Sequence, residues 1–200
     1  MPNHTVRFFF DFASPYSYFA SEFVEEVCAK HNATLIWEPM VLGALFQEDQ
    51  TTPMHAIPKR SKYLKADLVQ TSEALGIPYQ PRTEFLIKAI TPMRVVLQLE
   101  QGESRTRAVH AIFRAAWAQD QDISNAEVLG KILHEAGFDP IPLLEGTQQE
   151  GIKNQLKSNT EEAITLGIFG APTMVLDGGK MFWGHDRLKT LDYFLGKAEQ

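Results

Sequence analysis

Apolar residues crowd together near both ends of this 200-residue chain and recur at helical spacing between them. Val6 to Phe12 (Val-Arg-Phe-Phe-Phe-Asp-Phe) is a short aromatic-rich run, too continuous for a half-exposed strand, and predicts a strand buried on both faces. Ala13-Ser14-Pro15 follows, with serine at a natural N-cap position and proline in the first helical turn. Phe19, Phe23, Val24 and Val27 then lie at helical spacing while Glu22, Glu25, Glu26 and Lys30 take the other face. That pattern predicts a helix from Pro15 to His31, ended by Asn32. Thr34 to Glu38 reads as a second strand running into Pro39. A β-α-β start predicts a right-handed crossover and two parallel strands.

From Leu42 to Leu166 nothing alternates with period two. Helical patterns cover 57–75, 83–101, 104–119, 125–136 and 148–166, punctuated by Gly76-Ile77-Pro78, Gly102, Gly137 and Gly167. The strand signal returns at Thr173–Leu176 and Lys180–Trp183, joined by the hairpin signature Asp177-Gly178-Gly179. A last helix, Asp186 to Lys197, carries Leu188, Leu191 and Leu195 on one stripe. With no internal repeat or long linker, the predicted organisation is a discontinuous α/β domain, 1–41 with 167–200, interrupted by a helical insertion over 42–166.

Composition narrows the chemistry. With 44% hydrophobic and 22% charged residues the chain has the profile of a soluble globular protein, and at this length it can bury roughly 70% of its unfolded surface. A single cysteine, Cys28, excludes a disulfide scaffold, a cysteine-rich zinc module and a dithiol enzyme working through its own pair. The formal charge of −6 repels nucleic acid and anionic membrane surfaces. Neither a basic leader nor an apolar run of about 20 residues is present, so a cytoplasmic setting is expected. The six histidines, at 4, 31, 55, 110, 134 and 185, show no metal-ligand spacing, and no metal site is expected.

Phe10-Asp11-Phe12-Ala13-Ser14-Pro15-Tyr16-Ser17-Tyr18 puts a hydroxyl where a buried strand meets a helix N-terminus. The first amide N–H groups of that helix lack intrahelical partners and carry a partial positive charge. Ser14 is therefore either a structural N-cap or the hydrogen-bonding partner of a bound anion, such as a thiolate. Gly170-Ala171-Pro172-Thr173 leads into the later strand pair, and an X-Pro bond there is either a trans strand edge or a cis turn that turns the Ala171 backbone toward an extended ligand. Phe182-Trp183-Gly184-His185-Asp186-Arg187 places a carboxylate that either caps the last helix or faces a ligand ammonium. Cys28, on the inner side of the first helix, reads as a buried small hydrophobe.

Phe-Asp-Phe-x-Ser-Pro-Tyr-x-Tyr, Ile-Phe-Gly-x-Pro-Thr and Phe-Trp-Gly-x-Asp-Arg-Leu together resemble the 2-hydroxychromene-2-carboxylate isomerases and the related kappa-class glutathione transferases, of the DsbA-like branch of thioredoxin-fold proteins. Their order, separations and the helical block between them extend the resemblance over essentially the whole chain. It implies a thioredoxin-like domain with a large all-helical insertion, glutathione bound between the two, a small-molecule substrate and a homodimer. It implies Ser14 where dithiol relatives carry the reactive cysteine, the Ala171 backbone ahead of cis Pro172 pairing with the cysteinyl part of glutathione, and Trp183, Gly184, His185 and Asp186 around its γ-glutamyl end. In such isomerases a thiolate adds reversibly to a conjugated carbon, the bond rotates and the thiol leaves.

The segment after the second strand departs from the family pattern. Where the isomerases often carry lysine and asparagine, this chain reads Gly43-Ala44-Leu45-Phe46-Gln47-Glu48-Asp49-Gln50-Thr51-Thr52-Pro53. Phe46, Thr51, Arg60 and Arg82 are the substrate-side candidates, with Lys59 and Lys62 as further cations. Three readings stand: a glutathione-dependent isomerase of conjugated aromatic keto-acids, a kappa-like transferase or peroxidase, and a non-catalytic thioredoxin-fold binding module.

Overall fold

Residues 4–82 and 87–198 are described by the computed structural model. A four-stranded sheet in the order β2-β1-β3-β4 lies at its centre, built from β1 (His4–Phe10), β2 (Ala33–Pro39), β3 (Thr173–Leu176) and β4 (Lys180–Trp183). β2 runs parallel to β1, whereas β3 is antiparallel to β1 and to β4. Because β1 is flanked by strands on both sides, its side chains meet cover on both faces, and Val6, Phe8, Phe9 and Phe10 are fully buried. β1 begins two residues earlier than its hydrophobicity predicts, since His4 and Thr5 pair in register with Ala33 and Thr34. It ends at Phe10 because the Asp11 carbonyl turns to accept the Ser14 N–H at 2.9 Å.

On one face α1 (Pro15–Lys30) and α9 (Leu188–Ala198) pack with the sheet. There Phe10 meets Phe12 edge-on at 5.2 Å and Trp37 at 5.8 Å, and Phe113 completes the cluster, 4.7 Å from Phe12. Aromatic pairs of this kind contribute about 0.5–1.5 kcal/mol each beyond their area burial. The opposite face is covered by α2 (Leu42–Glu48) and α8 (Glu150–Thr165), where Phe9, Met40, Leu45, Ala163, Ile168 and Val175 form a second buried cluster.

Between β2 and β3 the chain also forms α3 (Pro58–Leu75), α4 (Ile90–Leu97), α5 (Glu103–Trp117), α6 (Ala126–Glu135) and α7 (Pro140–Gly146), with a 3-10 turn at Met54–Ala56. α2 and α7 are additional to the helices that periodicity predicts, each only seven residues long. The pattern over 83–101 yields a helix only at Ile90–Leu97, with Pro92 in its first turn; its positions 83–86 lie outside the described residues. The last helix starts at Leu188 rather than Asp186, after a 3-10 turn at His185–Arg187.

The helices are fastened to the sheet at the free edge of β2. The Trp37 N–H donates to the Gln101 side-chain carbonyl at 3.1 Å, and the Gln101 amide donates back to the Trp37 carbonyl at 3.0 Å. Arg105, buried, adds a bond to the same carbonyl at 3.2 Å and others to the Leu97 and Leu99 carbonyls at the end of α4. A second tie joins α1 to α5, where Arg114 donates to Glu22 at 2.7 and 3.0 Å and His110 pairs with Glu25. Among the described residues no helix is long and apolar enough to cross a membrane.

Candidate active site

Ser14 is the N-cap of α1: its Oγ accepts the Ser17 N–H at 3.1 Å, satisfying one of the orphan donors of the first turn. The hydroxyl donates in turn to the Ala171 carbonyl, 3.0 Å away and 157 residues distant in sequence. The Ala171-Pro172 bond is cis. Among the described residues nothing accepts from the Ala171 N–H. A hydroxyl at a helix N-terminus thus stands beside a backbone segment with a donor to spare, the arrangement that pairing with an extended ligand requires.

Asp11, quoted in the first motif but assigned no part in the site, proves to be its buttress. Its buried carboxylate accepts the Ala13 N–H and the Leu42 N–H, both at 2.9 Å, so one side chain fixes the loop before Ser14 and the start of α2. Burial raises its pKa to about 6, against the two backbone donors that favour the charge.

The far wall is built by the turn between β4 and α9. The Gly184 N–H donates to the Pro172 carbonyl at 3.0 Å, tying that turn to the cis proline. Gly184 holds φ +111 with the Asp186 carboxylate folded over it, so a Cβ there would lie 2.6 Å from Oδ1. Asp186 stays more than half exposed and lies 3.5 Å from Arg187; it forms no side-chain cap on its 3-10 turn. Trp183 packs its indole over Gly170 and against Phe169, with ring centroids 4.7 Å apart. Both rings are about half exposed, at 52% and 47%.

His185 faces the N-terminus of α1. Its ring stacks on Tyr16, 5.0 Å between centroids and 11° between planes, and meets Phe19 edge-on at 6.1 Å. The Tyr16 hydroxyl donates to Asp67 of α3 at 2.5 Å, and Tyr63 donates to the other oxygen of the same carboxylate at 3.0 Å. Burial lowers the His185 pKa, opposed by the charges of Asp186 and Asp67. A cavity of about 530 Å³ adjoins this wall, lined by His185 and Asp186 and by Phe19, Phe23, Val27 and Leu75. Ser14 does not line it. Tyr16 and Asp67 were not singled out from the sequence. Tyr16 had a signal, two residues beyond Ser14, whereas Asp67 is one acidic residue on a helix 51 positions away and has none.

The structure therefore brings Ser14, Ala171, Pro172, Trp183, Gly184, His185 and Asp186 to one end of the sheet. The substrate-side candidates are placed differently. Phe46 is half-buried on α2, and Thr51, exposed beyond it, donates to the Asp49 carbonyl at 3.3 Å. Arg60 is exposed in the first turn of α3. Arg82 has another occupation: with a side chain only 5% exposed, it donates to the Ala116 and Gln121 carbonyls at 2.6 and 3.2 Å and lies over Trp117. Its guanidinium holds the C-terminal end of α5, which leaves it no free face for a substrate anion. Cys28 is buried, and burial, with the charge of Glu25 adding to it, pushes its thiol up to about 12, which keeps it protonated and unreactive. Among the described residues no group of three His, Cys, Asp or Glu side chains is placed to hold a metal ion.

Comparison with known proteins agrees with this fold. A family model described as DSBA-like thioredoxin domain matches residues 5–196. The chain is 30% identical over 216 residues to glutathione S-transferase kappa 2 of Caenorhabditis elegans, covering 98% of this chain and 94% of that protein. It is 26% identical over 197 residues to the 2-hydroxychromene-2-carboxylate isomerase of Pseudomonas putida, covering 96% and 94%. Among solved structures it matches a 2-hydroxychromene-2-carboxylate isomerase with a TM-score of 0.88 at 22% identity, over 96% of this chain and 95% of that one. It also matches the cytosolic disulfide reductase DsbM from Pseudomonas aeruginosa with GSH, with a TM-score of 0.69 at 16% identity, over 98% and 97%. These structural likenesses establish a thioredoxin-like α/β fold with a helical insertion.

Proposed function

The chain belongs to the DSBA-like thioredoxin domain family, and from that membership we propose that it is a glutathione-dependent isomerase acting on a conjugated aromatic keto-acid. The observation that carries the reading is the Ser14 hydroxyl, shared between a helix N-terminus and the Ala171 carbonyl beside cis Pro172. When bound, glutathione supplies a thiol whose ionised form adds reversibly to a conjugated carbon and leaves again.

The residues fit such a ligand. Ser14 rotates its hydroxyl from the Ala171 carbonyl to the ligand sulfur and favours the thiolate, aided by the α1 N-terminus. That rotation frees the Ala171 carbonyl to accept from the ligand backbone while the Ala171 N–H donates to it, a two-bond clamp on the cysteinyl part. Asp186 takes the ammonium of the γ-glutamyl end, and Trp183, Gly184 and His185 line it. The protein's share is positioning and anion stabilisation, and no side chain is consumed.

Calorimetry of glutathione binding tests the ligand, and an ultraviolet titration of bound thiol tests Ser14. Ser14→Ala is expected to raise the pKa of the bound thiol; an unchanged titration removes the role assigned to Ser14. The similarity to kappa-class transferases favours a second reading in which the conjugate is released. Turnover of hydroxychromene carboxylate without loss of glutathione supports the isomerase, and consumption of chlorodinitrobenzene with glutathione supports the transferase.

A further inference from the structure

We propose that Asp67, contributed by α3, is a positioning residue of this site: it clamps Tyr16, and the Tyr16 ring in turn fixes the His185 imidazole in the wall assigned to the γ-glutamyl end of the ligand. For its ligand the inference rests on the glutathione reading above; the clamp itself stands on geometry. Both oxygens of Asp67 are engaged, Oδ2 by Tyr16 at 2.5 Å and Oδ1 by Tyr63 at 3.0 Å. Hydrogen bonds from a hydroxyl to a carboxylate are short and roughly twice as strong as neutral ones.

Proton-transfer roles for this pair are disfavoured by the same contacts. Burial, then the hydrogen bond and charge of Asp67, push the Tyr16 phenol well above its ordinary range, so it keeps its proton. Both Asp67 oxygens already accept from a tyrosine hydroxyl. A positional role remains, and His185 needs one. It sits in a three-residue 3-10 turn closed by the Arg187 N–H donating to the Gly184 carbonyl at 3.2 Å. Its ring is confined by Tyr16 across one face and Phe19 at an edge. Removing the tyrosine hydroxyl or its acceptor frees the stacked pair to turn together.

The test is a double-mutant cycle with two readouts: glutathione affinity by calorimetry, and the ring-proton shifts of His185 by NMR in the ligand-free protein. Stacking beneath Tyr16 should move the His185 ring protons upfield. Tyr16→Phe keeps the ring and packing, so it tests the clamp even where Asp67→Ala folds poorly. Each single variant is expected to relax the His185 shift and weaken glutathione binding about tenfold, and the double variant to be no worse than either single. Additive losses, or an unmoved His185 shift in Tyr16→Phe, overturn the clamp. If the wild type binds no glutathione while the His185 shift still relaxes in the variants, the ligand reading fails and the clamp stands. If the wild type binds and neither readout moves, the clamp fails and the ligand reading survives.

Discussion

Single residues at this site work through what lies against them. Gly170 makes room for the indole of Trp183, because a Cβ there would lie 2.4 Å from Nε1 and 3.0 Å from Cε2. Trp183 is half exposed and has room to swing outward. Gly170→Ala is therefore expected to displace the indole at a cost below about 1 kcal/mol. Trp37 and Trp117 are buried, so the change in tryptophan emission reports Trp183 alone; unaltered emission would contradict this contact. The N-cap at Ser14 was legible in the sequence because it is local: serine, proline and helix follow one another. Asp11 was not, because its role depends on Leu42, 31 residues away, coming within 2.9 Å. Arg82 misleads for a related reason. A cation in a loop reads as a substrate contact until the Ala116 and Gln121 carbonyls are seen around it.

Among elements, the strands and longer helices follow the hydrophobic pattern closely, β3 and β4 to the residue. The departures are short. α2 has no side-chain cap and draws its start from Asp11 and from Thr160, whose hydroxyl accepts the Val41 N–H at 3.0 Å, and neither is near in sequence. α7 did carry a local signal, Asp139 as N-cap accepting the Ile141 N–H at 3.1 Å with Pro140 behind it, but seven residues give too little periodicity to weigh. The clearest test at this scale is the edge of β2. Gln101→Ala removes both hydrogen bonds that mimic a neighbouring strand at Trp37, leaving Arg105 to hold the carbonyl and, among the described residues, nothing to hold the N–H. A loss of about 1–3 kcal/mol in denaturant unfolding is expected; a value near zero would mean the edge is held by packing alone.

For the molecule as a whole, pH acts through Asp11, just before α1, and through Glu22 and His110, where the middle of α1 meets α5. Burial opposes a charged His110, but its carboxylate neighbours Glu25 and Glu22 overcome this and raise it from 6.5 to about 9. Its contribution to stability is full below pH 6.5 and is lost as pH rises through 9. Glu22 resists burial through Arg114 and His110 and falls from 4.5 to about 2, so its contribution is full above pH 4.5 and is lost as pH falls through 2. Asp11 acts the other way: its burial penalty is absent below pH 3.8 and has fully set in above about 6. Urea unfolding of His110→Gln beside the wild type should show the difference in stability shrinking between pH 6.5 and 9; a constant difference would remove the pair from the account. The hydrogen bond from Ser14 to Ala171 spans 157 residues, and the Arg7 pair with Glu162 spans 155. A chain emerging from the ribosome presents Ser14 a full 157 residues before the Ala171 carbonyl, so the serine waits for the cis-proline turn and β3 to dock beside it. Until then the hydrophobic flank of β1 is unpaired, so the order of synthesis, and not only the native contacts, exposes this protein to misassembly, and any truncation before residue 171 yields a chain that keeps the Ser14 cap but lacks the carbonyl it donates to.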